Sequence, residues 1–174
     1  MKKYLIVFVA CMGFASLHAQ CIHNVVFSTD MGVGMAANTP EYTPFTWRVM
    51  GHYRATKHLS VGVGTGLSFY EKALMPVFAD AKLLIGKAHK LNPYIEYAVG
   101  YSFALNRNAN GGFYMNPAIG MRYSLGKDRA LTFSVGYEQQ KLERLKEYQN
   151  SLYMAQFAEK LDHASISFKV GFSY

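Results

Sequence analysis

The last ten residues, Ser165 to Tyr174, read SISFKVGFSY. Ile166, Phe168, Val170, Phe172 and Tyr174 form one class and Ser165, Ser167, Lys169, Gly171 and Ser173 the other, with no position out of turn. Successive side chains of a strand point to opposite faces, so this period of two marks a strand with one apolar face and one polar or small face.

The same two classes recur upstream. Trp47, Val49 and Tyr53 alternate with Arg48, Met50, His52 and Arg54, and Leu59, Val61, Val63, Leu67 and Phe69 with Ser60, Gly62, Gly64, Gly66 and Ser68. Ile95 to Phe103, Phe113 to Tyr123 and Leu131 to Tyr137 repeat the pattern, and weaker copies run from Asn24 to Met35 and from Met75 to Ile85. Together these give eight runs, at 23–36, 43–55, 58–70, 74–86, 91–105, 111–125, 129–142 and 163–174. Each exceeds the about 9–11 residues that a tilted strand needs to cross hydrocarbon, and an even count closes a barrel without a free edge.

The N-terminus is of another kind. Lys2 and Lys3 precede an apolar run from Tyr4 to about Ala15, which exits through Ser16 and Ala19. This is the pattern of a secretory signal peptide, and the run is short of the about 20 residues of a spanning helix. Residues 1–19 are therefore expected to be a signal and 20–174 the mature domain, starting at Gln20. Cys11 would leave with the signal and Cys21 would remain alone, either as an incidental thiol or as a lipid attachment site, although Gln20 stands where lipoprotein signals have a small residue.

The mature length suits one domain with one core. Past the signal no apolar stretch is long enough for a membrane helix, so any span must be built from strands. Formal charge is +7, and without Lys2 and Lys3 there remain 16 basic against 11 acidic residues. That surplus is modest and scattered.

The connectors give the chain a direction. Short ones at Thr56 to His58, Lys87 to Lys90 and Gly126 to Asp128 interleave with segments at 37–42, 71–73 and 106–110 and with one long stretch, Glu143 to Asp162. Short turns are periplasmic in bacterial barrels, which puts both termini inside and the long segment outside. Lys57, Lys87, Lys90 and Lys127 crowd the proposed inner turns.

A soluble lipocalin-type barrel shares the alternation with its faces exchanged. Two observations favour the membrane form. Gly32, Gly34, Gly62, Gly64, Gly66, Gly100, Gly120, Gly136 and Gly171 fall in the polar class, as a crowded lumen requires. On the apolar face, Tyr53, Tyr123 and Tyr174 cluster near the inner ends, and Phe45, Trp47, Phe69, Phe103 and Tyr137 near the outer ends, as two interfacial girdles would. The fold expected is all-β: an eight-stranded antiparallel up-and-down transmembrane barrel with short periplasmic turns and one long outer loop.

On these residues the whole mature chain resembles the small outer-membrane barrel families. These are the porin-like and OmpX-like proteins, and especially the short "outer membrane protein beta-barrel domain" proteins of Bacteroidetes. The resemblance implies an outer-membrane location, with outer-membrane lipid and, during biogenesis, the barrel assembly machinery as partners. The terminal Phe168, Val170, Phe172 and Tyr174 look like the C-terminal assembly signal, with Tyr174 in the place usually taken by Phe.

The polar class collects Asp30, Arg48, Arg54, Asp80, Lys82, Glu96, Arg122, Glu138 and Lys169, whose charges nearly balance. Side chains fill an eight-stranded interior and buried charges persist only when paired, so a structural salt-bridge network is expected, with a proton path or narrow pore as the other reading. Some barrels of this size remodel lipid A, and His163 and Ser165 have the His-x-Ser spacing of the deacylases; but Ile166 stands where that motif has Asn, and the pair falls on the lumenal face.

His23, His52, His58 and His89 have no metal-ligand spacing, and the Gly-x-Gly runs sit inside strands, so neither metal, cofactor nor nucleic acid is expected. Around Lys141 to Asp162, Leu145, Tyr148 and Leu152 return at helical spacing among good helix formers, which predicts a short helix. It would serve either as a partner-binding element through 143–162, or as a loop that folds over the mouth or extends the last two strands. The function expected is that of a non-catalytic integral outer-membrane protein acting in envelope structure or through its outer loops. A small-solute pore is the alternative.

Overall fold

The computed structural model describes residues 24–38, 43–70, 73–86, 89–105, 109–126, 129–150 and 153–174, with the backbone alone for 109, 144–150 and 153–160. The expected signal, Cys21, His23 and the turn residues Lys87, Lys127 and Asp128 lie outside them. The strands are β1 (Val25–Ala36), β2 (Phe45–Arg54), β3 (Leu59–Phe69), β4 (Ala73–Leu84), β5 (Leu91–Ala104), β6 (Ala109–Asn110), β7 (Gly112–Ser124), β8 (Ala130–Asn150) and β9 (Tyr153–Ser173). β6 is only a two-residue rung against Glu143 and Arg144 of β8. The other eight pair antiparallel in sequence, and β9 pairs with both β8 and β1, which closes the barrel.

The register keeps the two sequence classes on opposite sides of the wall. Asp30 lies across from Arg48, which lies across from Gly66, and Lys169 lies between Gly32 and Ser134. Inward positions are polar, small or tightly packed, while the exterior is a continuous apolar band that includes Met31, Val33, Val63, Ile95, Ile119, Phe133, Val135 and Val170. Val63 is 69% exposed and Ile119 66%. An apolar patch of this extent is stable only against lipid. At the inner end Tyr174 stacks beside Phe27 and Phe172, and at the outer end Phe45 meets Phe69, so rings border the band at both interfaces.

The glycines are matched to large inward neighbours. A Cβ at Gly64 would stand 2.7 Å from the Phe78 ring, one at Gly120 2.6 Å from the Tyr94 ring, and one at Gly32 2.5 Å from Cγ of Lys169. Each large side chain thus leans over a missing one on the next strand, which lets the middle of the narrow lumen pack closely.

One expectation fails. Where helical spacing predicts a short helix around Leu145 to Leu152, β8 and β9 continue as a ladder from Lys141↔Asp162 to Asn150↔Tyr153. An isolated helix of that length is marginal in water, whereas a ladder already nucleated by the barrel gains a rung with each added pair. The long outer segment is therefore a hairpin, extending roughly 33 Å along its strands beyond Gln140.

Candidate functional site

The middle of the lumen is built around Arg48, which is 1% exposed. Its Nε donates to Asp30 Oδ1 at 2.9 Å, and its Nη2 to Asp30 Oδ2 at 2.6 Å and to Glu96 Oε1 at 2.8 Å. Nη1 reaches Asn116 Oδ1 at 3.2 Å, and the guanidinium carbon lies 5.6 Å from the centre of the Phe78 ring. Glu96 also takes Lys82 Nζ at 3.1 Å, and Lys82 sits over the Tyr94 ring.

Asn116 carries the network across the barrel. Its Oδ1 accepts from Lys169 Nζ at 2.8 Å, and Lys169 in turn pairs with Glu138 at 2.8 Å. Three cations, Arg48, Lys82 and Lys169, thus meet three carboxylates, Asp30, Glu96 and Glu138, in one connected layer. Desolvating six charges is costly, and mutual pairing with added amide and ring contacts offsets that cost.

Above this layer the outer mouth is closed by packing. Tyr70 stacks on His163 at 5.2 Å and donates its hydroxyl hydrogen to Glu138 at 3.2 Å. Gln140 donates to Ser68 and Glu138 and accepts from Ser102, and Leu74 and Leu142 are fully buried beside it. Ser165 and His163 belong to this plug and face the lumen, away from lipid acyl chains.

Below the central layer, His52 pairs with Asp80 through Nε2, and its Nδ1 lies 3.4 Å from Ser28 Oγ. Ser, His and Asp stand in the order of a hydrolytic relay. The cavity beside them is only about 40 Å³, room for a few waters and no acyl group, so they act as a hydrogen-bonded brace.

Arg54 and Arg122 stand apart from the network. Both are half-buried at the inner end, where the lumen opens into a cavity of about 590 Å³, and neither meets a carboxylate among the described residues. Of the nine lumenal charges singled out from the sequence, six are joined in one layer and Asp80 has its own histidine, while these two remain at the mouth.

Asn116, His52, Gln140 and Tyr70 carry as much of the arrangement as the charges do. Inward parity places the first three in the lumen, and their bonding partners are visible only once the barrel is closed. Phe78, Tyr94 and Tyr114 are inward aromatics that hydropathy alone assigns to lipid.

No family model matches the chain, and no curated protein matches it in sequence. Among solved structures the fold is similar to the outer membrane protein OprG from Pseudomonas aeruginosa, with a TM-score of 0.65 and 10% identity over 87% of this chain and 94% of that one. It is also similar to the outer membrane protein AlkL in DMPC bilayers, at 0.59 and 15% over 87% and 89%. Neisserial surface protein A follows at 0.57 and 12% over 86% and 94%. At such identities the likeness is one of fold. The closed eight-stranded barrel with an apolar outer band is the architecture of the bacterial outer membrane, and that is where this chain resides.

Proposed function

We propose that the protein is a non-catalytic outer-membrane barrel whose working part is the β8–β9 hairpin held out beyond the membrane. It would be of the kind its sequence resembles among the short Bacteroidetes barrel-domain proteins. The observation that carries this reading is the hairpin itself, since past Lys141↔Asp162 its strands pair with each other apart from the short rung of β6. A membrane anchor alone has no need of such an extension, and an isolated two-stranded ribbon is marginal in water. A partner outside the cell that lies along it gives the extension both a use and a stabilising surface. The export signal at 1–19 and recognition of Phe168, Val170, Phe172 and Tyr174 by the assembly machinery complete the reading.

A passive pore is the weaker reading, because Arg48, Glu96, Asn116, Glu138 and Lys169 fill the cross-section with almost no exposed surface. The lipid A deacylase reading is weaker still, since His163 and Ser165 are enclosed in the outer plug.

The test replaces 144–160 with a tight turn in the native host. Retained heat-dependent gel mobility with loss of surface adhesion or of envelope resistance to detergent supports the proposal. Full complementation by the shortened chain overturns it.

A further inference from the structure

The charges are sorted along the barrel axis. Arg54, Lys57, Lys90, Arg122 and Arg129 occupy the inner end, with Lys87 and Lys127 in its turns by sequence, against a single acid there, Asp128. The lumenal acids nearest this end are already engaged: Asp80 with His52, and Glu96 with Lys82 and Arg48.

Lys90 and Arg129 are exposed on the rim, where lipid headgroups and water solvate them, and Lys57, also exposed, stands at the edge of the inner cavity. Arg54 and Arg122 are different. They share the walls of the inner cavity, half-buried, with Ser60 and Ser124 as neutral donors, while the Asn92 amide is tied to the His89 backbone. Two guanidiniums in one partly desolvated space, with no carboxylate among the described residues, repel each other and retain unused donors. The segment 20–23, which leads into β1, has no acidic residue to offer them.

We propose that this inner mouth is a binding site for a phosphate-class oxyanion, held between Arg54 and Arg122. A guanidinium presents paired donors that match phosphate oxygens, and two of them facing one cavity suit a multiply charged group. The cavity of about 590 Å³ has the size of a small-molecule site and opens toward the periplasm. The site is separate from the outer hairpin and does not depend on that hairpin's role. Its ligand is either a soluble phosphate compound or the headgroup phosphate of an inner-leaflet lipid.

The experiment titrates inorganic pyrophosphate into the full mature chain folded in zwitterionic detergent free of phospholipid, read by calorimetry and by thermal unfolding. One equivalent is expected to bind and raise the unfolding temperature. Arg54→Gln and Arg122→Gln are each expected to weaken binding by roughly tenfold or more, the worth of a charged hydrogen bond. The rim variant Lys90→Gln, outside the cavity, changes it by only about twofold, because an exposed charge is screened.

Both arginine variants should keep the heat-dependent gel shift and unfold at a higher temperature than wild type without ligand, since a repulsion is removed; should either fail to fold, Arg→Lys keeps the charge without the paired donors. A second arm compares nanodiscs of phosphatidylglycerol and phosphatidylcholine. Arginine-dependent binding of pyrophosphate assigns a soluble phosphate, and stabilisation by phosphatidylglycerol alone with the same dependence assigns a headgroup. The proposal is overturned if neither arm responds, if Lys90 matters as much as Arg54 and Arg122, or if only Asp128→Asn lets pyrophosphate bind.

Discussion

Arg48 holds Asp30 at two points, Nε to Oδ1 at 2.9 Å and Nη2 to Oδ2 at 2.6 Å, from directly opposed positions on β2 and β1. The register alone brings them together, and the glycine across from Arg48 on β3 leaves the guanidinium free to turn toward Glu96 and Asn116.

Arg48→Met is therefore expected to be costly. It leaves Asp30 without its partner and Glu96 with Lys82 alone, and breaking a buried pair from one side typically costs about 3–5 kcal/mol. Adding Asp30→Asn should recover part of the loss, because the stranded charge is then gone. Urea unfolding in detergent, followed through the single Trp47, measures both. Equal stability of Arg48→Met and wild type would show that the central layer is solvated.

The outward face makes an opposite demand. Val63 lies midway along β3, across from Gly51 and Ala79, and is among the most exposed apolar residues. Val63→Arg should destabilise the lipid-embedded barrel by about 2–4 kcal/mol, the cost of a cation near the bilayer midplane. In a soluble barrel the same change would be neutral. Folding into vesicles under urea, with Val63→Leu as the control, separates the two.

Lumen packing gives a coupled prediction. Gly64 has no room for a Cβ beside Phe78 and Met50, but those neighbours are side chains and able to yield. Gly64→Ala should cost about 1–3 kcal/mol by overpacking. Phe78→Leu should reduce that cost when the two are combined, and a double-mutant cycle reads the coupling. Additive effects would mean that the two residues do not touch.

These examples show which parts of the molecule are legible in a linear sequence. Strand number, length and facing follow from the period of two, because burial on one side fixes the parity of every position, as in Ser165 to Tyr174. The same parity puts Phe78 with Asp80, Tyr94 with Glu96 and Tyr114 with Asn116 on the inward side, but which gap on a neighbouring strand receives each ring, as Gly64 receives Phe78 and Gly120 receives Tyr94, depends on register. The union of Arg48 with Asn116, 68 positions away, likewise exists only after closure. For 143–162 the sequence allows both an extension of the last two strands and a short helix at Leu145, Tyr148 and Leu152, and the ladder below it decides for the extension over that local preference.

The filled cross-section leads to a last expectation, about conduction. Two obstacles stand in series from the outside: the plug of Tyr70, His163, Gln140 and Leu74, then the ion-paired layer centred on Arg48 and Asn116. Tyr70→Ala removes the ring that stacks on His163, yet leaves the second obstacle whole. Wild type and Tyr70→Ala should therefore both be silent in planar bilayers, while Tyr70→Ala exposes Glu138 to solvent from the outside. Discrete conductance from the folded wild type would show that the layer opens and would restore the pore reading. Conductance in Tyr70→Ala alone would place the barrier at the outer plug and make the Arg48 layer permeable to ions.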